Sequence, residues 1–164
     1  KINYQNIGMA FQGTFRSNLK GDKVVFATKN SNSISFLKIN ADSSVSIVKE
    51  YHFNKPDVTF SKESNEYYAS LTPDAKLGYT YLYATDEYVY ALHSGKKISD
   101  GFQQAQSGDT IEVFDWDGSP VYRIKLDQAV RAFAIHIKTK RLYAYLDIET
   151  PEIVYYELPL SMKK

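Results

Sequence analysis

The sequence runs to 164 residues, the size of one ordinary domain, with 20 Lys and Arg set against 19 Asp and Glu. A net charge of +1 gives no basis for non-specific attraction to nucleic acid or to an anionic membrane, and 43% hydrophobic content speaks for a globular chain. The absence of cysteine excludes disulfide scaffolds, thiolate zinc sites and cysteine nucleophiles, and no apolar stretch approaches the ~20 residues that cross a bilayer.

The composition leans towards strand, because aromatic residues favour a pleated, half-buried surface and the chain holds 14 Tyr, 9 Phe and 1 Trp. In chain order, the first predicted strand covers 9–15. It is followed by Val24-Val25-Phe26-Ala27-Thr28, Ile34-Ser35-Phe36-Leu37-Lys38-Ile39 and Val45-Ser46-Ile47-Val48-Lys49. The separators, such as Lys29-Asn30-Ser31-Asn32-Ser33, are rich in turn formers, so the unit 9–53 reads as an antiparallel meander. Segment 54–78 carries Pro56, Pro73 and the polar run from Ser61 to Glu66, and reads as a connection between units.

A second meander, 79–126, opens on Tyr79-Thr80-Tyr81-Leu82-Tyr83-Ala84, with the three tyrosines at a period of two and expected on one face. Tyr88-Val89-Tyr90-Ala91-Leu92-His93 follows. A polar excursion over 94–109 then leads to Thr110-Ile111-Glu112-Val113-Phe114-Asp115 and Val121-Tyr122-Arg123-Ile124-Lys125-Leu126. The last two strands flank Asp117-Gly118, a strong hairpin dipeptide. Helical periodicity is confined to a turn or two at 100–107 and 127–132. The third unit, 130–158, shows three strands, beginning at Val130, Arg141 and Ile153, before Pro159 and a basic tail.

These units resemble one another. Their second strands align as Asp22-Lys23-Val24-Val25-Phe26, Asp86-Glu87-Tyr88-Val89-Tyr90 and Lys140-Arg141-Leu142-Tyr143-Ala144. A repeated four-stranded antiparallel unit is the signature of a β-propeller blade. A β-sandwich is the structural alternative, but it does not require three units to share a pattern. The expected fold is therefore all-β, a propeller fragment of about three four-stranded blades.

Segment 78–158 resembles the C-terminal blades of the TolB-like six-bladed β-propellers, a group assigned as bacterial lipoproteins. The resemblance rests on Asp86-Glu87-Tyr88-Val89-Tyr90-Ala91-Leu92-His93-Ser94-Gly95-Lys96, on Val113-Phe114-Asp115-Trp116-Asp117-Gly118-Ser119-Pro120-Val121, on Lys125-Leu126-Asp127 and on Lys140-Arg141-Leu142-Tyr143-Ala144. It implies a six-bladed ring and an exported, periplasmic or cell-surface protein, lipid-anchored through a segment outside this chain. It implies no established reaction and no catalytic motif. A blade takes about 40–45 residues, so six need more than about 200 against the 164 present. The expectation is that the chain is the C-terminal part of a longer propeller and that, alone, it self-associates through open blade faces, with two half-rings closing one propeller.

Chemistry-bearing residues are sparse. His52, His93 and His136 have no metal-ligand spacing, and no cofactor or metal is expected. Asp115 and Asp117 sit two apart, but Asp117-Gly118 reads as a turn with Trp116 packed over it, lacking the further oxygen ligands of a calcium loop. Asp147, Glu149 and Glu152 read as a solvated loop. No nucleophile elbow, phosphate-binding loop or dinucleotide fingerprint is present. The favoured reading is a non-catalytic binding or scaffolding module for a protein, peptide or glycan, not for nucleic acid. Its candidate ligand residues are His93, Phe102 and Trp116, with the 94–109 excursion forming part of the recognition surface. The alternative is a propeller hydrolase or lyase acting on peptide or polysaccharide at a site shared between blades.

Overall fold

The computed structural model describes residues 8–63 and 66–158. The N-terminal residues 1–7, residues 64 and 65 of the polar run and the basic tail from Pro159 lie outside the described residues.

Four strands, β1 (Gly13–Ser17), β2 (Lys23–Thr28), β3 (Ser33–Ile39) and β4 (Val45–His52), pair in sequence order as an antiparallel sheet, blade 1. The expected first strand starts later than its apolar residues suggested, because residues 8–10 are helical. Next comes a hairpin, β5 (Val58–Glu63) with β6 (Glu66–Leu71), as a separate two-stranded sheet. It lies within the segment read as a plain connection. The polar run that suggested a loop supplies part of the hairpin, whose register pairs Phe60 with Ala69 and Val58 with Leu71.

Blade 2 is β7 (Tyr79–Ala84), β8 (Tyr88–His93), β9 (Gly108–Asp115) and β10 (Pro120–Val130), again antiparallel and in order. Between β8 and β9 the excursion forms a 3-10 turn over Ile98–Asp100 and one helical turn, α1 (Phe102–Ala105), close to the expected helical segment. The turn expected at 127–132 is instead strand. β10 runs to Val130 through a register shift after Lys125, and Arg131 alone separates it from β11 (Ala132–His136). Blade 3 is β11, β12 (Arg141–Leu146) and β13 (Glu152–Glu157).

Alternation along blade 2 explains how the sheets stack. Val89 and Ala91 of β8, with Tyr79, Leu82, Phe114 and Trp116, pack against Val25, Ala27, Ile34 and Phe36 of blade 1. Tyr88, Tyr90 and Leu92, with Ile111 and Val113, pack against Phe133, Ile135, Leu142, Ala144 and Leu146 of blade 3. Strand β8 is therefore buried from Tyr88 to Leu92, which is why its sequence reads as an almost unbroken apolar run. The first strands of the blades are neighbours, β7 lying between β1 and β11, as expected where innermost strands surround an axis.

The tyrosines of β7 do not all share a face. A register irregularity between Tyr79 and Tyr81 turns Tyr79 towards blade 1, where its hydroxyl donates to Glu112 at 2.7 Å. Tyr81 and Tyr83 face blade 3, with ring centroids 5.5 and 6.1 Å from that of Phe133. One inserted residue was enough to reverse the period-two reading.

The outward faces of blades 1 and 3 have no partner among the described residues. On blade 1, Phe15 is 59% exposed while stacked on Phe26, and the pairs Val24–Leu37 and Leu37–Ile47 share that face. On blade 3, Tyr145 stands opposite Ile153, itself 76% exposed, and Tyr143 stands opposite Tyr155.

Candidate functional site

Two faces of the blade array gather inter-strand connections. At one end lie the β1–β2, β7–β8 and β11–β12 turns, joined where the Leu19 amide donates to the Asp86 carboxylate at 3.1 Å. A cavity of about 620 Å³ opens there, walled by Tyr83, Tyr88, Tyr90, Ile135 and Ile137. At the other end lie the β2–β3 turn, the β8–β9 excursion and the passage from β10 to β11. Of the sequence-predicted residues, His93 and Phe102 lie at this second end.

Trp116 is in neither opening. It is 5% exposed, packed between blades 1 and 2, and its indole N–H donates to the Thr85 carbonyl at 2.9 Å. The adjacent turn is shaped by Asp115, whose Oδ1 accepts from the amides of Asp117 at 3.0 Å and Ser119 at 2.8 Å. His93 closes β8 with its ring edge-on to Tyr79 at 5.6 Å. Burial holds its imidazole below the ordinary value, against the opposing pull of the Glu112 carboxylate, and Arg123 adds to the depression. Glu112 is already occupied on both oxygens, by Tyr79 and, at 2.8 Å, by Arg123. Burial thus favours the neutral form of His93, and burial first, then the bond to Glu112, raises the Tyr79 phenol far above the usual range. Among the described residues no group of three or more His, Cys, Asp or Glu is placed to hold a metal ion.

Phe102 sits at the excursion's tip and is 52% exposed. The excursion itself is pinned to the chain before blade 2. The amides of Gly95, Ile98 and Ser99 donate to the carbonyls of Leu77, Ala75 and Pro73, and Lys97 pairs with Asp74 at 2.7 Å. Its Ser94 hydroxyl donates to the Ala105 carbonyl at 2.6 Å, and Ala105 is fully buried. Phe102 is therefore held out from a fixed base.

Beside it lies a group that the sequence did not single out. The Lys29 ammonium, from the β2–β3 turn of blade 1, lies 5.7 Å from the Phe102 ring centroid and donates to Gln106 Oε1 at 2.5 Å. Arg131, where the chain enters blade 3, is close enough that its charge opposes that of Lys29. Burial is the larger cause, and together they lower the Lys29 pKa. Two blades thus meet at one spot, Lys29 from the first and Phe102 and Gln106 from the second. A sequence signal was present. Neither Lys29 nor Arg131 has an acidic residue within three positions, unlike Lys23 and Lys125.

A family model described as TolB-like 6-blade propeller-like matches residues 1–138. The chain belongs to this TolB-like family. The match takes in blade 1 and the hairpin as well as blade 2 and the first strand of blade 3. It therefore extends towards the N-terminus beyond segment 78–158 and stops before Lys140–Ala144, which carried part of the resemblance. No curated protein matches the chain significantly. As a member of a TolB-like propeller family, the chain is placed by its fold among propellers, a scaffold that hosts many functions and fixes none. No helix among the described residues is long and apolar enough to cross a membrane.

Proposed function

We propose that this chain is a non-catalytic binding or scaffolding module of an exported, envelope-associated propeller protein. It takes a protein, peptide or glycan ligand on the face that carries the excursion. The observation that supports this reading is the meeting of Lys29 of blade 1 with Phe102 and Gln106 of blade 2, with an exposed aromatic on a rigid base. An aromatic held out in this way offers apolar area at little entropic cost, the usual basis of an interaction hot spot. His93 stands behind this face as a packing partner of Tyr79, and Trp116 steadies the blade 1–blade 2 interface. The open faces of blades 1 and 3 support pairing of two copies when the chain is isolated.

The test is binding of the chain to a peptide array and an oligosaccharide array, beside a Phe102→Ala variant of unchanged thermal stability. The reading predicts retention of a defined subset by the wild type and at least about tenfold weaker retention by the variant. Equal retention, or hydrolytic or eliminative turnover of arrayed chains above a buffer blank, would contradict it. Export and lipid anchoring are checked by fractionating the source cells, where a cytosolic location would overturn that part.

A further inference from the structure

We infer that the cavity beside the β7–β8 turn is a second binding site, taking an organic cation carried on an apolar body. It lies at the other end of the blade array from Phe102, so it goes beyond the reading above and does not depend on it.

The cavity, of about 620 Å³, is of a size that holds a small ligand, and residues of all three blades wall it. Tyr83, Tyr88 and Tyr90 of blade 2 supply aromatic surface. Their rings are steeply inclined, at 61° between Tyr83 and Tyr90 and 79° between Tyr88 and Tyr90, with centroids 6.3 and 6.4 Å apart. This wall is fixed in place, because the Tyr83 hydroxyl donates to the Ile135 carbonyl at 3.0 Å and Tyr90 is buried. Leu19 of the β1–β2 turn and Ile137 of the β11–β12 turn extend the lining from the flanking blades. Both are large apolar side chains on turns, 87% and 65% exposed. Two uncovered aliphatic groups beside an apolar cavity give the body of a ligand a surface to bury against.

Charge then selects among apolar ligands. Apart from the tyrosines, the ionisable groups of the lining are Asp86 and Glu87 of the β7–β8 turn and Lys140 of the β11–β12 turn, two carboxylates against one ammonium. Asp86 and Glu87 are exposed, and neither is in an ion pair among the described residues. Asp86 accepts the Leu19 amide on Oδ1 at 3.1 Å, which ties the two turns together and leaves Oδ2 for a ligand. A protonated amine or guanidinium there gains charge-assisted hydrogen bonds, while its hydrocarbon stem lies against the tyrosines, Leu19 and Ile137. A ligand carboxylate is repelled by the acidic pair, and a neutral apolar ligand leaves both carboxylates unused. Lys140 opposes the cation, and so lowers its affinity without reversing the preference.

The experiment is a titration of the ¹⁵N-labelled chain with phenethylammonium chloride, phenylethanol and sodium phenylpropionate at low, constant ionic strength, read by amide chemical shifts. The ammonium is expected to give saturable shifts confined to residues around 19, 83–90 and 135–140. It should bind about fivefold or more tighter than the alcohol, with no saturable shifts from the carboxylate. The double variant Asp86→Asn, Glu87→Gln keeps an acceptor for the Leu19 amide and should abolish the preference for the ammonium over the alcohol. Lys140→Gln should tighten the ammonium, and Ile137→Ser should weaken ammonium and alcohol alike. Equal affinity of ammonium and alcohol in the wild type, tighter binding of the carboxylate, or a preference that survives the double variant would each overturn the assignment. A final arm separates the sources of the cation. Displacement of the ammonium by an acetylated, amidated phenylalanyl-arginine at lower concentration supports the site as one for a basic peptide, and the reverse order supports it as one for a free amine.

Discussion

At the scale of single residues, the molecule separates polar groups that stabilise from those left waiting. Glu112 satisfies two partners at once, Tyr79 and Arg123, and its charge reaches the neighbouring His93. This has a pH consequence. The His93 pKa lies below the ordinary histidine value of 6.5, so the unfolded chain takes up a proton that the folded chain resists. Stability contributed by the neutral imidazole is complete above pH 6.5 and declines as the pH falls towards the depressed folded value. His93→Phe keeps an edge-to-ring contact with Tyr79 and has no proton to gain. Thermal melts should show the wild type losing ground to this variant between pH 7 and pH 5. A constant difference across that range would contradict the role of burial at His93. Lys29 and Arg131 are the opposite case, because no carboxylate among the described residues offsets their burial.

At the scale of elements, turns decide how blades seat on one another. The β9–β10 turn reaches blade 1, where the Tyr51 hydroxyl donates to the Gly118 carbonyl at 2.9 Å. Gly118 has φ of 81°, and a Cβ placed there would lie 2.6 Å from Lys49 Cβ and 2.9 Å from Phe36 Cδ2. Gly118→Ala therefore meets both backbone strain and a clash with the fully buried Phe36. It should cost about 1–3 kcal/mol in denaturant unfolding, and a cost near zero would show the turn to be adaptable. Asp117-Gly118 was legible as a turn in the sequence, because Asp-Gly has few other uses. Its contact with blade 1 was not, since no local pattern encodes which distant surface a turn meets.

The same limit applies along the chain. The meanders and the strong repeat at the second strands were readable from period-two alternation and turn formers. The β5–β6 hairpin was missed because the polar run from Ser61 to Glu66 resembles a loop and the hairpin adds little apolar burial of its own. The Tyr79 face was misread because a bulge shifts phase without leaving a sequence mark. Of the candidate site, Phe102 was visible as an aromatic in a polar excursion. Lys29 and Gln106 were not, because segments 77 positions apart bring them together.

At the scale of the whole molecule, blade 2 is covered on both faces and its neighbours on one. Each internal interface buries a dozen or so apolar side chains, worth about 1.5–3 kcal/mol for each large one. The end faces carry comparable residues, Phe15 and Ile47 on blade 1 and Tyr145, Ile153 and Tyr155 on blade 3, left to water. A two-fold pairing of arcs sets blade 1 of one copy against blade 3 of the other twice over, covering both faces with one geometry. A propeller gains most by such closure, because it removes lateral faces that otherwise associate without limit. Sedimentation velocity of the isolated chain at micromolar concentration tests this most directly, run beside a Phe15→Glu, Ile153→Lys double variant. The account predicts a discrete species of twice the chain mass, returning to monomer in the variant. A monodisperse wild-type monomer would contradict it.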